Sequence, residues 1–221
     1  ILFHPTTKDV KLTPKGYIFE PLAFSHSDEK ASAGYYSVYF KEEDIKAELT
    51  ATKYTGIHRY TFGKGKNARI IVDHSHLLAD EVIDMAEFKI TGKNELSGMR
   101  RTQGWVTNQY VYFVARFSND FEKTQLINNG KIIAPEDTTE GGNIQIILDF
   151  GQSDGKPLIA KVGISIVSEE NARLNLENDV KDFDFDLAHE SARSMWEEAL
   201  SDIVVEGGTE AQLKNFYTAQ Y

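Results

Sequence analysis

Two neighbouring stretches decide the fold class of this chain: Gly34-Tyr-Tyr-Ser-Val-Tyr-Phe40 and Ile45-Lys-Ala-Glu-Leu-Thr-Ala-Thr52. In the second stretch apolar and polar residues alternate without a break, which is the two-residue period of a β-strand with one buried face. Similar runs predict further strands at 57–62, 68–72, 81–91, 95–101, 104–117, 143–150 and 160–167. Strands at such short spacing, with no helices between them, favour an antiparallel β-sandwich over a parallel α/β sheet. The sequence therefore predicts a mainly β fold over residues 1–167.

Short tracts rich in Gly, Asn and Asp separate these strands. Gly63-Lys-Gly-Lys-Asn67 lies between two predicted strands and indicates a β-hairpin loop. Asn128-Asn-Gly130 and Ser153-Asp-Gly155 indicate two further turns, because Asn and Gly tolerate the backbone angles that tight turns need.

The pattern becomes helical at Ser168, which is a good N-terminal capping residue. A second helix is predicted to start near Asp184 or Asp186, and Thr209-Glu-Ala-Gln212 forms a capping box for a third. These signals divide the chain into a sandwich domain at 1–167, a helical linker at 168–208, and the first helix of a further helical domain at 209–221.

The two ends of the sequence indicate a part of something longer. The chain opens on the apolar run Ile1-Leu-Phe3, with no charged-then-apolar signal segment, and closes at Tyr221 inside a predicted amphipathic helix. We therefore expect the chain to be truncated at both ends.

Composition excludes several classes of protein. The 221 residues carry a formal net charge of −10 and include no cysteine. An acidic chain does not favour nucleic acid or an anionic membrane surface as a partner, because both require clustered Lys and Arg. Without cysteine there is no disulfide, no thiolate metal site and no cysteine nucleophile. No apolar run approaches the roughly 20 residues of a membrane-spanning helix.

Two stretches suggest a metal site, but a structural role is favoured for both. Asp73-His-Ser-His76 places two histidines two residues apart, and no spacing specifies further ligands. Asp182, Asp184 and Asp186 alternate with phenylalanine, but the glycine and the closing glutamate of a calcium-binding loop are missing. Carboxylates at a helix N-terminus explain the three aspartates more simply.

Arg100, Arg101 and Trp105 are the candidate binding residues that the residue types themselves suggest. Arg100-Arg-Thr-Gln-Gly-Trp105 combines two guanidinium groups with an indole, a pairing suited to sugars or anions through hydrogen bonds and stacking. A tryptophan in the core with arginines in surface or interdomain ion pairs explains the same residues equally well. His26 lies in Ser25-His-Ser-Asp-Glu29, where adjacency of Ser, His and acid is no evidence of a catalytic triad.

Six stretches together resemble the N-terminal β-sandwich and linker of the glycoside hydrolase family 92 α-mannosidases, in the family's order. They are Phe24-Ser-His-Ser-Asp-Glu-Lys-Ala-Ser-Ala-Gly-Tyr-Tyr-Ser-Val38, Glu48-Leu-Thr-Ala-Thr-Lys53, Gly56-Ile-His-Arg-Tyr-Thr-Phe62, Ala68-Arg-Ile-Ile-Val-Asp73, Gly98-Met-Arg-Arg-Thr-Gln-Gly-Trp105 and Glu206-Gly-Gly-Thr-Glu-Ala-Gln-Leu-Lys-Asn-Phe-Tyr-Thr-Ala219.

The resemblance implies a large antiparallel sandwich of the supersandwich kind, followed by linker helices and an (α/α)6 barrel that begins near Thr209. It also implies an exported, calcium-dependent enzyme that removes terminal α-linked mannose, often α-1,2-linked, from glycans with inversion. The family's catalytic carboxylates and calcium ligands lie on the barrel, so no catalytic residue and no metal ligand is expected in this chain. His26, Arg100, Arg101 and Trp105 are then candidates for a pocket wall or for contact with the barrel.

Two other classes of function remain open from the sequence. A stand-alone carbohydrate-binding module would bind sugar as the isolated chain, whereas a structural assembly domain of a surface protein would self-associate and bind none.

Overall fold

The computed structural model describes residues 1–10, 12–13, 16–17, 20–77, 81–133, 139–140 and 143–221. Within these ranges the strands, in chain order, are β1 (Leu2–Thr6), β2 (Leu12–Thr13), β3 (Gly16–Tyr17), β4 (Glu29–Ser32), β5 (Tyr35–Phe40), β6 (Ile45–Ala51), β7 (Thr55–Phe62), β8 (Asn67–Asp73), β9 (Val82–Ile90), β10 (Glu95–Gln103), β11 (Gln109–Phe117), β12 (Lys123–Asn128), β13 (Lys131–Ile133), β14 (Thr139–Glu140), β15 (Ile144–Gln152) and β16 (Leu158–Ser165). The helices are α1 (Glu169–Asp179), α2 (Phe185–Leu200) and α3 (Glu210–Gln220), and His26–Asp28 form a 3-10 turn.

Two large antiparallel sheets face each other. In the described residues the smaller sheet has five strands in the order β1-β8-β15-β12-β13, and the larger has nine in the order β14-β9-β10-β11-β16-β7-β6-β5-β4. β2 and β3 pair separately. The mainly β, antiparallel sandwich predicted from the alternating pattern is confirmed.

The main core lies between the sheets. Phe62, Phe88 and Phe113 point inward from the larger sheet, and Ile70 and Ile146 meet them from the smaller one. All five are almost fully buried. Burial of an apolar side chain of this size contributes about 2 kcal/mol, so this layer supplies the main driving force for folding.

The helix starts predicted from capping residues are confirmed. Ser168 and Asp184 precede α1 and α2, and each side chain accepts a hydrogen bond from a backbone N–H of the first turn. Thr209 and Gln212 form the predicted capping box of α3. These caps could be found from sequence because a capping interaction spans only three residues.

The hairpin predicted at Gly63-Lys-Gly-Lys-Asn67 is wrong. β7 belongs to the larger sheet and β8 to the smaller, so this segment carries the chain from one sheet to the other. The N–H of Gly65 donates to the carbonyl of Ser153, and the N–H of Ser153 donates to the carbonyl of Lys66. The pairing is therefore with the turn after β15, a partner that local spacing does not reveal.

Two other details differ from the sequence-based expectation. The strand predicted from residue 104 begins at Gln109, because residues 104–108 form the turn between β10 and β11. Strands β2, β3, β4, β12, β13 and β14 were not predicted from sequence. The turn predicted at residues 128–130 is present and connects β12 to β13, with φ of 49° at Asn129 and 75° at Gly130.

Candidate functional site

Helices α1 and α2 cover the outer face of the larger sheet. Ala172 and Leu176 of α1 pack on Val114 of β11. Phe185 and Ala188 of α2 form a second small cluster, which contains Ile57 of β7 and Ile159 of β16. The sandwich therefore has a third, helical layer, which is held by apolar contacts from three strands, β7, β11 and β16.

A buried lysine fastens the segment between these two helices. Lys161 of β16 is 2% exposed, and its ammonium donates to the carbonyl of Val180, the residue that caps the C-terminus of α1, at 2.7 Å. The ammonium also lies 4.8 Å from the ring centroid of Phe183. Burial lowers the pKa of Lys161. A cation at the negative end of a helix is favourable, so this lysine stabilises the C-terminus of α1 where the chain turns towards α2.

An ion-pair network fastens α2 to the sheet. Arg59 of β7 makes a bidentate pair with Glu48 of β6, with both N–O distances 2.8 Å, and its third nitrogen donates to Asp186 of α2 at 2.7 Å. Tyr35 and Lys46 also donate to Glu48. Burial acts to raise the pKa of Glu48, but the hydrogen bonds from Arg59, Tyr35 and Lys46 outweigh it and lower the pKa to about 2. Glu48 is therefore a structural carboxylate that stays ionised.

A second network fastens α1 to the sheet. Arg116 of β11 and Arg173 of α1 each donate to one oxygen of Glu95 on β10, both at 2.7 Å. Asp179 near the end of α1 accepts from the Thr52 hydroxyl at 2.6 Å and from the Tyr54 N–H at 2.9 Å. These acids are engaged in holding the helices, so they are not free to act as catalytic acid or base.

An open groove of about 1100 Å³ runs between β4 to β6 on one side and α2 and α3 on the other. Gly34, with φ of +74°, forms part of its wall: a Cβ there would lie 3.0 Å from Trp196 and 3.1 Å from Ala192. Trp196 in turn contacts Tyr221, the residue that follows α3, with ring centroids 4.4 Å apart. The other lining residues are mainly small or apolar and include Ala31, Ala33, Tyr36, Leu49, Met195, Ala199 and Tyr217.

Ala188, Ala192, Met195, Trp196, Ala199 and Ile203 recur in the sequence at three- and four-residue steps, which predicts one apolar face packed against the sandwich or the barrel. Ala188 and Ala192 are buried on the sandwich side together with Phe185, whereas Met195 and Ile203 are exposed. The helical period alone could not tell which side of this broad stripe meets the sheet.

Arg100 and His74 form a structural cluster at one end of the sandwich. The Arg100 guanidinium donates to the carbonyl of His76 at 2.7 Å and to that of His74 at 3.4 Å. The His74 ring is fully buried and its Nε2 donates to the carbonyl of Met99 at 2.7 Å. Burial lowers the pKa of His74 to about 4, with a further contribution from the Arg100 charge. Because His76 is exposed while His74 is buried, the two histidines do not face a common site.

Arg101 and Trp105 lie at the β10–β11 hairpin. Arg101 donates to Asp84 at 2.8 Å and to the Tyr110 hydroxyl at 3.1 Å, and its guanidinium lies 5.7 Å from the Tyr110 ring centroid. Trp105, on the turn itself, is 99% exposed. It is therefore not the core side chain that was one of the two interpretations of the sequence.

His26 lies far from the other three candidates. It belongs to the 3-10 turn beside β4 and β5, its side chain is 97% exposed, and it contacts the carboxylate of Glu29. β4 and β10 are six strand positions apart in the larger sheet, roughly 29 Å along the sheet at the usual strand spacing. The structure thus brings Arg100 and Arg101 to one strand with Trp105 just beyond it, and leaves His26 at the opposite edge.

No group of three or more His, Asp or Glu side chains that could hold a metal ion occurs in the described part of the chain. Asp184 caps α2 and Asp186 pairs with Arg59, which agrees with the helix-terminus explanation of the acidic stretch. The described residues therefore do not fit the calcium ion that the resemblance implies.

Comparison with solved structures places this architecture among the mannosidases of family GH92. The chain matches the family GH92 alpha-mannosidase BT3965 from Bacteroides thetaiotaomicron over 100% of its own length and 31% of that chain, with 25% identity and a TM-score of 0.89. For the same enzyme in complex with mannoimidazole, identity is 26%, the TM-score is 0.89, and coverage is 100% of this chain and 30% of that one. The family GH92 inverting mannosidase BT2199 from Bacteroides thetaiotaomicron VPI-5482 shares the fold, with 24% identity, a TM-score of 0.84, and coverage of 98% and 28%.

The sandwich and its helical layer are thus similar to those of solved glycoside hydrolases. The family model of the glycosyl hydrolase family 92 N-terminal domain matches residues 1–165, and that of the family's catalytic domain matches residues 171–221. The chain belongs to glycosyl hydrolase family 92, which confirms the resemblance found in the sequence. The chain spans less than a third of the length of these solved relatives. None of the curated proteins compared with the chain matches it.

Sequence reasoning missed the groove and both ion-pair networks. Arg59 and Asp186 are 127 residues apart, and Arg173 and Glu95 are 78 apart, so no local pattern connects them. The one usable signal for the groove was Gly34 beside a tyrosine-rich strand, since a glycine at that position allows a helix to approach closely.

Proposed function

We propose that this chain is the sandwich and linker part of an exo-α-mannosidase that hydrolyses terminal α-linked mannose, most often α-1,2-linked, from glycans. The observation that carries the proposal is the match of the whole chain to a GH92 α-mannosidase with a TM-score of 0.89. The mannoimidazole complex of that relative supports a mannose-like ligand for the enzyme to which the sandwich belongs.

The proposed division of the chain is a sandwich at 1–167, a linker at 168–208 and the first barrel helix at 209–221. α1 and α2 are bound to the sheet by the two small apolar clusters and by the Glu48 and Glu95 networks. α3 follows Gly207 and Gly208, both at positive φ, and begins at its own capping box. These contacts support a linker that is fixed to the sandwich and a further helix that starts at Thr209.

Catalysis is proposed to belong to a longer polypeptide that contains this chain. Inverting hydrolysis requires one carboxylic acid to protonate the leaving oxygen and one carboxylate to activate water, separated by roughly 6.5–9.5 Å. Glu48 and Glu95, the most enclosed carboxylates beneath the helices, are each held by an arginine. We assign no catalytic residue and no calcium ligand to this chain. Its role is to hold the linker helices and to offer a surface beside the barrel.

Export of the enzyme is proposed from the family alone. Within the described residues, no helix combines the length and the apolar character needed to cross a membrane. Fractionation of cells that produce the natural polypeptide would test export, and activity confined to the cytoplasm would contradict it.

The test compares the purified chain with the longest natural polypeptide that contains it, using α-1,2-mannobiose and calcium. We expect no hydrolysis by the chain alone and hydrolysis by the longer polypeptide. That activity should be lost with a chelator and restored by calcium. Proton NMR of the first product should show β-mannose, because inversion converts the α-linkage to the β-anomer. Turnover by the pure chain, or α-mannose as first product, would contradict the proposal.

The stand-alone binding module is the second candidate, and the exposed indole of Trp105 is the observation that favours it. It predicts sugar binding without hydrolysis by any polypeptide that contains the chain. The third class, a surface-assembly domain, predicts concentration-dependent self-association in sedimentation experiments.

A further inference from the structure

The β10–β11 turn presents an indole ring to solvent. Trp105 is 99% exposed, and its neighbour Val106 is 52% exposed. Val82, which lies opposite Gln103 in the sheet, is also exposed. A tryptophan side chain buries a large apolar area when it contacts a ligand or another protein, and this burial favours binding. Because Trp105 is almost fully exposed, nearly all of that area can still be buried by a ligand.

The turn is held in place by its own side chains. The side-chain amide of Gln103 donates to the Asn108 side-chain oxygen at 2.9 Å and accepts from the Asn108 N–H at 3.0 Å. Gly104 passes close to Glu81, since a Cβ on this glycine would lie 3.0 Å from the glutamate side chain. A rigid turn loses little conformational entropy when a ligand binds, so Trp105 is positioned before contact.

Fixed polar groups lie on the same hairpin. Asp84 accepts from Arg101 on one oxygen and from Gln103 on the other, both at 2.8 Å. The hydrogen bond from Arg101 lowers the pKa of Asp84, so its carboxylate is ionised at neutral pH. Both partners of this pair remain partly exposed, with 28% and 32% of their side-chain areas accessible. Donors and acceptors in fixed positions are therefore available to a ligand.

The combination matches the chemistry of a pyranose. A sugar ring has one face of C–H groups, which packs on an aromatic ring, and a rim of hydroxyls that both donate and accept hydrogen bonds. Nucleic acid is disfavoured by the net charge of −10 and by the carboxylate in the cluster.

We propose that this hairpin binds a terminal α-mannoside, with Trp105 against the sugar ring and Arg101, Asp84 and Gln103 at its hydroxyls. The sugar class rests on the proposed function. Of the four residues predicted from sequence, the proposal retains Arg101 and Trp105. Arg100 is left out because its guanidinium holds backbone carbonyls.

The first test uses tryptophan fluorescence. The sequence contains two tryptophans, so Trp196→Phe leaves Trp105 as the sole indole. We expect α-1,2-mannobiose and methyl α-mannoside to shift its emission in a saturable way, whereas cellobiose has a smaller effect. An unchanged emission with both mannosides, in a variant that still unfolds cooperatively, would overturn the proposal and leave Trp105 as a contact for protein.

The second test measures binding by calorimetry in the native sequence. Trp105→Ala should weaken mannobiose binding by about tenfold or more, while Trp105→Tyr should retain most of it because the aromatic face is kept. Arg101→Gln should weaken binding as well, and Arg193→Gln, at an exposed position of α2, is the matched control. Equal binding by the native chain and Trp105→Ala would overturn the proposal.

These outcomes are separate from the test of the proposed function. Absence of binding here, together with hydrolysis by the longer polypeptide, would reject only this site. Binding at Trp105 without any hydrolysis by the longer polypeptide would reject only the proposed activity.

Discussion

Removal of the Arg59 guanidinium should destabilise the chain by about 2 kcal/mol at pH 7. In Arg59→Met, Glu48 stays buried at 4% exposure and keeps only Tyr35 and Lys46 as partners, while Asp186 of α2 loses its pair. Loss of one partner of a buried ion pair typically costs about 3 kcal/mol, because the remaining charge is left without compensation. The partners that remain reduce this cost.

The lowered pKa of Glu48 gives a similar estimate of the stability lost in Arg59→Met. A fall from the ordinary 4.5 to about 2 corresponds to about 3 kcal/mol, which solvent screening at the partly exposed groups reduces to about 2 kcal/mol. For a chain of this length the melting temperature should fall by about 6 °C.

The pH dependence of the stability difference between the native chain and Arg59→Met is a stricter check than its size at pH 7. Because the folded pKa of Glu48 lies below the unfolded one, its stabilisation is fully present above pH 4.5 and is lost as the pH falls towards 2. The difference between native chain and Arg59→Met should therefore shrink by about 1 kcal/mol from pH 7 to pH 4.

Urea unfolding at the two pH values measures this difference. Arg193→Met is the matched control, since Arg193 pairs with the exposed Glu190 and Glu197 and its replacement should cost less than about 0.5 kcal/mol. An equal loss in both variants, or a difference for Arg59→Met that stays constant with pH, would refute the reasoning.

Two further predictions concern the groove and the buried histidine. Gly34→Ala should lower the free energy of unfolding in urea by about 1–2 kcal/mol more than Gly65→Ala does. Both glycines have positive φ, but an added methyl group meets Trp196, at 3.0 Å, only at Gly34. Equal losses in the two variants would show that α2 does not press on this turn. The pKa of His74 is about 4 in the folded chain, below the ordinary 6.5, so acid favours the unfolded state, in which this histidine protonates more readily. The free energy of unfolding should therefore fall by about 2–3 kcal/mol as the pH falls from 6.5 to 4.5. His74→Asn should flatten this slope and His76→Asn should not, so the same slope in all three proteins would contradict the assignment.

Local patterns in the sequence were sufficient for several elements of the structure. The alternation at residues 45–51 sets a strand with one buried face, since each successive side chain points to the opposite side. The starts of α1, α2 and α3 follow from Ser168, Asp184 and Thr209, because a capping hydrogen bond depends on three neighbouring residues.

The candidate site could be predicted only in part. The pairing of arginine with tryptophan drew attention to Arg101 and Trp105, and the structure places both at one hairpin. His26, a candidate that came from the family resemblance, lies instead beside β4 at the opposite end of the larger sheet. Residue type indicates which chemistry a side chain can perform, but it carries no information on which side chains meet.

By itself the sequence determined the β class, the helix starts and the family, because each of these depends on short-range pattern or on several motifs in fixed order. Only the tertiary structure decided that β7 and β8 lie in different sheets, that α1 and α2 form a layer on the sandwich, and that a groove opens beside Gly34. These features depend on contacts between residues such as Arg59 and Asp186, 127 positions apart. Such pairings follow from how the apolar faces of all the elements are buried together, and no single stretch of sequence contains that information.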